Sequence, residues 1–202
     1  MSKDQDIPVE YKRHLLKMAD GGTISLDWAQ PLTKGENGDV GQGKVCVVYP
    51  GLSGGAESGY VKSLVRTLQE SGFEVVVLHN RGVSNTEFTS PMFTDLTSNE
   101  EYFAALRYVA AVSGKPMVGV GMSLGANMLM RTAADMPDFP MRAIVAINNP
   151  FDIWLSVNLM RGKIYEKHLT RKLKEQLVLR DPINENDAKN YNEAIQKFDI
   201  NL

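Results

Sequence analysis

A serine in the pattern Gly-x-Ser-x-Gly lies between an apolar run and a helix-forming segment. The pattern is Gly121-Met122-Ser123-Leu124-Gly125, preceded by residues 117–120 and followed by residues 126–130. In a strand, sharp turn and helix of this kind, the serine is held at strained backbone angles with its hydroxyl exposed. The pattern therefore predicts a nucleophile at Ser123 for acyl transfer. The alternative interpretation is a glycine-rich loop that only packs a helix against a sheet.

Two upstream loops also follow apolar runs and have the composition of site loops. Residues 45–49 are followed by the Gly-rich loop 50–55, whose backbone N–H groups can turn toward a developing negative charge. Residues 73–78 are followed by the polar segment 79–84. Because ligand sites of open α/β sheets lie at the carboxyl ends of the strands, these loops and the Ser123 turn are expected to meet at one edge.

The elements that must position these loops alternate between strands and helices. A β-hairpin is predicted at 14–18 and 23–28, around the turn Asp20-Gly21-Gly22. Further along the chain, the near-continuous apolar strands predict a mostly parallel sheet with helices on both faces, an α/β class. The predicted strands are 44–49, 73–78, 116–121 and 142–147, and the predicted helices are 58–70, 96–112, 124–134, 155–160, 165–179 and 185–198.

These patterns predict one domain over residues 1–202. Its parts are an N-terminal hairpin and linker over 1–43, a sheet core with the Ser123 turn over 44–152, and a charged helical cap segment over 153–202. Composition is consistent with a single core, because 43% of the 202 residues are hydrophobic.

Several blocks in order resemble the fourth AB-hydrolase family, which includes YheT-like hydrolases and eukaryotic esterases and lipases that act on acylglycerols or phospholipids. The blocks are Pro50-Gly51-Leu52, Gly54-Gly55, Tyr60-Val61, Gly72-Phe73, Val75-Val76-Val77, Asn80-Arg81-Gly82, Thr89-Ser90-Pro91, Asp95-Leu96 and 121–127.

The resemblance implies an α/β-hydrolase fold and a Ser-His-Asp triad with Ser123 as the nucleophile. It also implies an oxyanion hole formed by the backbone N–H groups of Leu52 and Leu124, with Gly121 and Gly125 as the glycines of the nucleophile elbow. No cofactor or metal is expected, and the substrate is expected to be a small-molecule or lipid ester.

The base of such a triad is missing from the pattern. The triad order requires a histidine downstream of Ser123, and the only one is His168, in a charged segment predicted to be a solvated helix. His14 lies in the predicted hairpin. His79 follows an upstream strand, where the alternatives are a loop hydrogen bond and a ligand contact.

Two aspartates are candidates for the acid of the triad. Asp152 follows the strand 142–147, and its structural interpretation is the N-cap of a helix over residues 153–160. Asp95 is predicted to start the helix 96–112 rather than to act in catalysis. Both are therefore expected to be structural, and Asp152 is kept with His79 as a weak site candidate.

Composition excludes several classes of protein. The formal net charge of −2 gives no electrostatic footprint for nucleic acid. Leu124 stands where the third glycine of a G-x-G-x-x-G dinucleotide motif would be. The single cysteine, Cys46, lies mid-strand and is expected in the core. Residues 1–6 show no apolar signal region, which favours a cytosolic location.

The chain is predicted to correspond to the first two thirds of such a hydrolase, without the last strands that carry the acid and the histidine. Two functions follow: a serine carboxylic-ester hydrolase whose activity in this chain alone is doubtful, or a hydrolase-like binding protein without catalysis. The predicted strand 142–147 would form an exposed edge, which favours self-association. Peripheral membrane contact is a further candidate interaction.

Overall fold

The structure is a computed structural model that describes residues 8–32 and 41–177. The predicted helix 185–198 and the end of the predicted helix 165–179 lie outside these residues. The strands are β1 (Lys12–Lys17), β2 (Thr23–Ala29), β3 (Val45–Tyr49), β4 (Glu74–His79), β5 (Met117–Met122) and β6 (Met141–Ile147). The helices are α1 (Gly59–Glu70), α2 (Glu100–Ser113), α3 (Leu124–Asp135), α4 (Ile153–Met160) and α5 (Ile164–Leu177).

The strands form one sheet in the order β1-β2-β4-β3-β5-β6. The pairs β3/β4, β3/β5 and β5/β6 are parallel, whereas the hairpin strand β2 joins β4 antiparallel. The prediction of a mostly parallel sheet preceded by a hairpin is confirmed. Every residue of β3 and β4 is buried, because helices cover both faces of the sheet at its centre.

Two apolar clusters lie on opposite faces of the sheet. One contains residues of α2 and α3, including Tyr102, Leu106 and Leu129, packed on β3, β4 and β5. The other contains Val61 and Val65 of α1 with residues from β3 and β4. Cys46 belongs to this second cluster, and burial raises the pKa of its thiol to about 12. The expectation that this cysteine is a core residue is confirmed.

The start of α2 differs from the predicted helix 96–112. The carboxylate of Asp95 accepts hydrogen bonds from the backbone N–H and the hydroxyl of Thr97, at 2.8 and 2.7 Å. This local turn competes with helix formation, as short acceptor side chains often do. The helix therefore begins at Glu100, and the prediction that Asp95 starts it was wrong.

At the β6 side, apolar side chains lie open to solvent. Val145 and Ile147 of β6 are exposed, and α4 has no buried residue. Trp154 and Phe151 are each 79% exposed. Within residues 8–32 and 41–177, no helix is both long and apolar enough to cross a membrane.

Candidate active site

Ser123 lies in the tight turn that joins β5 to α3. Its φ is 52° and its ψ is −121°, a backbone conformation that is costly for any residue with a side chain. The N–H of Ser123 donates to the carbonyl of Ile147 at the end of β6, with an N to O distance of 2.8 Å, which fixes the turn against the sheet. The serine is exposed. This is the geometry that the Gly-x-Ser-x-Gly pattern predicts.

Gly121 and Gly125 allow the close approach that this turn requires. A Cβ added to Gly121 would lie 2.5 Å from Cα of Ala126, in the first turn of α3. A Cβ added to Gly125 would lie 2.2 Å from the carbonyl oxygens of both Tyr49 and Pro50. Because these obstacles are backbone atoms, only glycine fits at either position.

The loop after β3 runs beside Ser123. A Cβ added to Gly51 would lie 3.3 Å from Cβ of Ser123. The N–H of Gly54 donates to the carbonyl of Gly51 at 2.9 Å, which closes a turn that contains Leu52. Leu124 is the first residue of α3, so its N–H is one of those that a helix leaves without an intrahelical acceptor. The structure thus brings the loop of Leu52 next to the turn of Ser123 and Leu124.

The sequence interpretation assigned no role to Tyr60, although it lies in the first turn of α1 and contacts this loop. The N–H of Gly51 donates to Oη of Tyr60 at 3.1 Å. The side chain is 45% exposed. Spacing along the chain gives no signal for this contact, because the folding of the 51–58 segment determines it.

Below the loop lies a small cavity of about 20 Å³, lined by Tyr49, Asn80 and Tyr102 together with residues of the Gly51 loop and α3. The hydroxyl of Tyr102 donates to Oδ1 of Asn80 at 3.0 Å. The buried hydroxyl of Tyr49 has no hydrogen-bond partner among the described residues.

His79 is fully buried and supports the same loop from the other side. Its Nε2 accepts the backbone N–H of Ala56 at 2.9 Å, and its Nδ1 lies 3.2 Å from Oγ of Ser25. Since Nε2 is an acceptor, the ring is neutral and Nδ1 carries the proton. Burial lowers the pKa of His79 from 6.5 to about 4, against the opposing effect of Asp27. Of the two alternatives, the loop hydrogen bond is the one found.

The neutral state of His79 gives stability a pH dependence. Between pH 6.5 and about 4 the unfolded chain binds a proton that the folded chain excludes, so the free energy of unfolding is expected to fall as the pH is lowered through this window. The expected contribution is about 3 kcal/mol. Urea unfolding at pH 7 and pH 4 should show a larger decrease for the parent than for His79→Gln, whose amide can accept the N–H of Ala56 without titrating. Equal decreases would contradict this account.

The other two histidines are engaged elsewhere. Nδ1 of His14 lies 3.1 Å from the hydroxyl oxygen of Tyr108, and the imidazole ring packs against the ring of Trp28. His168 is exposed on α5, with Nδ1 3.5 Å from Nη2 of Arg171. The expectation that His168 lies on a solvated helix is confirmed.

Asp152 is the N-cap of α4. Its Oδ1 accepts the N–H of Leu155 at 2.8 Å, as the structural interpretation predicts. Its carboxylate therefore serves the helix end, and no contact in the described structure links it to a histidine.

Arg81 anchors the polar loop after β4. Its guanidinium donates to Asp20 in the hairpin turn, to Glu101 in α2 and to Ser90. The Arg81 side chain is only 7% exposed, and its ion pairs hold the hairpin turn and α2 against the loop after β4. Arg81 belongs to the block Asn80-Arg81-Gly82 that resembles the hydrolase family, and its contacts show a structural role.

Comparisons with known proteins give the family to which this fold belongs. The family model described as the alpha/beta hydrolase fold matches residues 45–183. The chain belongs to this family.

Among curated proteins, the chain is similar to the embryogenesis-associated protein EMB8 of Picea glauca, with 31% identity over 83% of this chain and 39% of the relative. It is 31% identical to the phospholipase ABHD3 of Mus musculus over 61% of this chain and 30% of that protein. It is 32% identical to the YheT protein of Escherichia coli (strain K12) over 79% of this chain and 47% of that protein. The chain thus spans between about a third and a half of these relatives, and the predicted resemblance to YheT-like hydrolases is confirmed.

Solved structures show the same fold at low identity. The Pyrococcus furiosus esterase Pf2001 superposes with a TM-score of 0.59 at 17% identity, covering 94% of this chain and 69% of the esterase. The serine hydrolase without lid XC6422 of Xanthomonas campestris gives a TM-score of 0.52 at 18% identity, over 83% of this chain and 95% of that chain.

Proposed function

We propose that this chain carries the nucleophile of a carboxylic ester hydrolase, with Ser123 forming the acyl-enzyme. The observation that supports the proposal most strongly is the backbone of Ser123, whose φ of 52° holds an exposed hydroxyl between β5 and α3. Strain of this kind persists where the surrounding structure imposes it, and it clusters at functional sites.

The proposed step is acyl transfer. Oγ of Ser123 bonds to the ester carbonyl carbon, the π electron pair moves onto the carbonyl oxygen, and the hydroxyl proton leaves to a base or to water. The backbone N–H groups of Leu52 and Leu124 donate to the oxyanion. Collapse of the adduct expels the alcohol, which takes up a proton, and water then releases the acid from the serine.

The described site lacks a general base for Ser123. The three histidines of the chain are each hydrogen-bonded elsewhere, and none contacts Ser123 in the described structure. This observation favours the second candidate function, a hydrolase-like protein that binds a ligand at the elbow without turnover. The two candidates differ in whether Ser123 forms a covalent bond.

The proposed substrate class is a lipid or small-molecule ester. Relatives are named phospholipase and monoacylglycerol lipase. Exposed apolar residues of α4, with Trp154 and Leu155 among them, would favour an apolar acyl chain or a membrane surface nearby. The exposed edge strand β6 supports self-association as a further proposal.

The test is covalent labelling of the parent chain. A fluorophosphonate should modify one residue on prolonged incubation, and peptide mass spectrometry should locate it at Ser123. Ser123→Ala should abolish the label, whereas Ser63→Ala on α1 should retain it. A label that persists in Ser123→Ala would refute the proposed nucleophile, and an unmodified parent chain would favour the non-catalytic candidate.

A further inference from the structure

The phenol of Tyr60 and the nucleophilic turn approach the same point in space. A Cβ added to Gly51 would lie 3.3 Å from Cβ of Ser123 and 3.6 Å from Oη of Tyr60. A group on Ser123 that extends toward Gly51 would therefore approach this phenol.

Tyr60 accepts the hydrogen bond from Gly51, which leaves its own hydroxyl proton available for donation. Gly51 supplies the N–H and Oη accepts it at 3.1 Å, so the bond uses a lone pair and leaves the phenolic proton to be donated. A hydroxyl that accepts one hydrogen bond is polarised toward donating another. Burial raises the pKa of Tyr60, so the proton is retained at neutral pH.

The loop is shaped to admit the ring. A Cβ added to Gly54 would lie 2.0 Å from Oη and 3.1 Å from Cζ of Tyr60, so a side chain at position 54 would displace the phenol. The hydroxyl is thus held against two glycines of the same loop. A donor fixed before the reaction costs no reorganisation when charge develops.

We propose that Tyr60 is a catalytic residue that donates its phenolic hydrogen bond to the oxyanion of the tetrahedral adduct on Ser123. It would act beside the N–H groups of Leu52 and Leu124. The inference rests on the proposed acyl transfer at Ser123. The proposal also assigns a function to the hydrogen bond between Gly51 and Tyr60. The N–H of Gly51 already donates to Oη of Tyr60, so it affects the oxyanion only by polarising the phenol.

The test is binding of phenylboronic acid, a tetrahedral-adduct analogue that needs no turnover. Its boron bonds to Oγ of Ser123, the serine proton passes to solvent, and the product is a tetrahedral boronate anion. Boron NMR follows the change from trigonal to tetrahedral boron in the parent chain. Tyr60→Phe should weaken adduct formation about a hundredfold, on the scale of losing one oxyanion donor.

The matched control is Tyr11→Phe. The hydroxyl of Tyr11 donates to the carbonyl of Ala56 at 3.4 Å, at the far end of the same loop. Its loss should lower thermal stability without changing the boronate affinity.

Ser123→Ala distinguishes failure of the proposed nucleophile from failure of the proposed role of Tyr60. If Ser123→Ala abolishes the adduct and Tyr60→Phe leaves its affinity unchanged, the role of Tyr60 is refuted and the nucleophile stands. Equal weakening by Tyr60→Phe and Tyr11→Phe would show that both act only by holding the loop, which also overturns the inference. An adduct that survives Ser123→Ala, or no adduct with the parent, would refute the proposed function and the role of Tyr60 together.

Discussion

The purified 202-residue chain is expected to hydrolyse p-nitrophenyl esters at least about a thousandfold more slowly than a serine esterase of the same fold that has a complete triad. The physical reason is the state of Ser123, whose hydroxyl has no imidazole within the described site to take its proton. A serine at its ordinary pKa is a poor nucleophile. Residual acceleration from the oxyanion donors would remain, because these act on the adduct rather than on the serine.

Steady-state release of p-nitrophenol measures this deficit. The Pyrococcus furiosus esterase is a suitable reference, because its fold matches over 94% of this chain. Ser123→Ala provides the background rate. Turnover comparable to the reference, and lost in Ser123→Ala, would show that another residue of this chain serves as the base.

The second large effect is expected in the state of association. Among the described residues, β6 is the last strand in the sheet order, and its side chains are largely exposed. An unpaired apolar edge is a template for pairing with another strand. We expect the chain to self-associate as its concentration rises, by antiparallel pairing of two β6 edges.

A charge on this edge should oppose the pairing. Val145 is 53% exposed, and Val145→Lys is expected to shift the chain toward the monomer, since edge lysines block strand addition. Val112→Lys on α2, where the valine is 49% exposed, makes the same chemical change away from the edge and should leave association unchanged. Sedimentation velocity over a concentration series measures both. A parent chain that stays monomeric, melts cooperatively and binds no hydrophobic dye would contradict the prediction.

The sheet core could be predicted because its signals are local. Apolar runs of strand length, bounded by glycine and proline, marked β3, β4 and β5. The turn at Ser123 was predictable for a similar reason: the constraint on Gly121 and Gly125 comes from backbone atoms that lie near them in sequence or in the next strand. A position that excludes a Cβ atom must be glycine, so this steric requirement can be recognised in the sequence.

The rest of the site depends on tertiary contacts. His79 had two interpretations until the fold placed the N–H of Ala56 against its ring. The sequence assigns no site role to Tyr60, because its hydrogen bond with Gly51 depends on how the loop between β3 and α1 folds. The prediction that Asp95 starts α2 is wrong because its carboxylate accepts hydrogen bonds from Thr97, and a helical sequence pattern does not reveal this competition.

The central position of β3 has a kinetic consequence. Val45 pairs with Glu74 of β4 and, on its other side, with Met117 of β5, far along the chain. During synthesis on the ribosome, β3 and β4 are complete before β5 is made, so one side of β3 has no partner strand until the chain has reached Met117–Met122. Non-local parallel pairing is slow to form. Refolding from denaturant should therefore be limited by the docking of β5, and a nascent chain halted before Met117 should recruit chaperones.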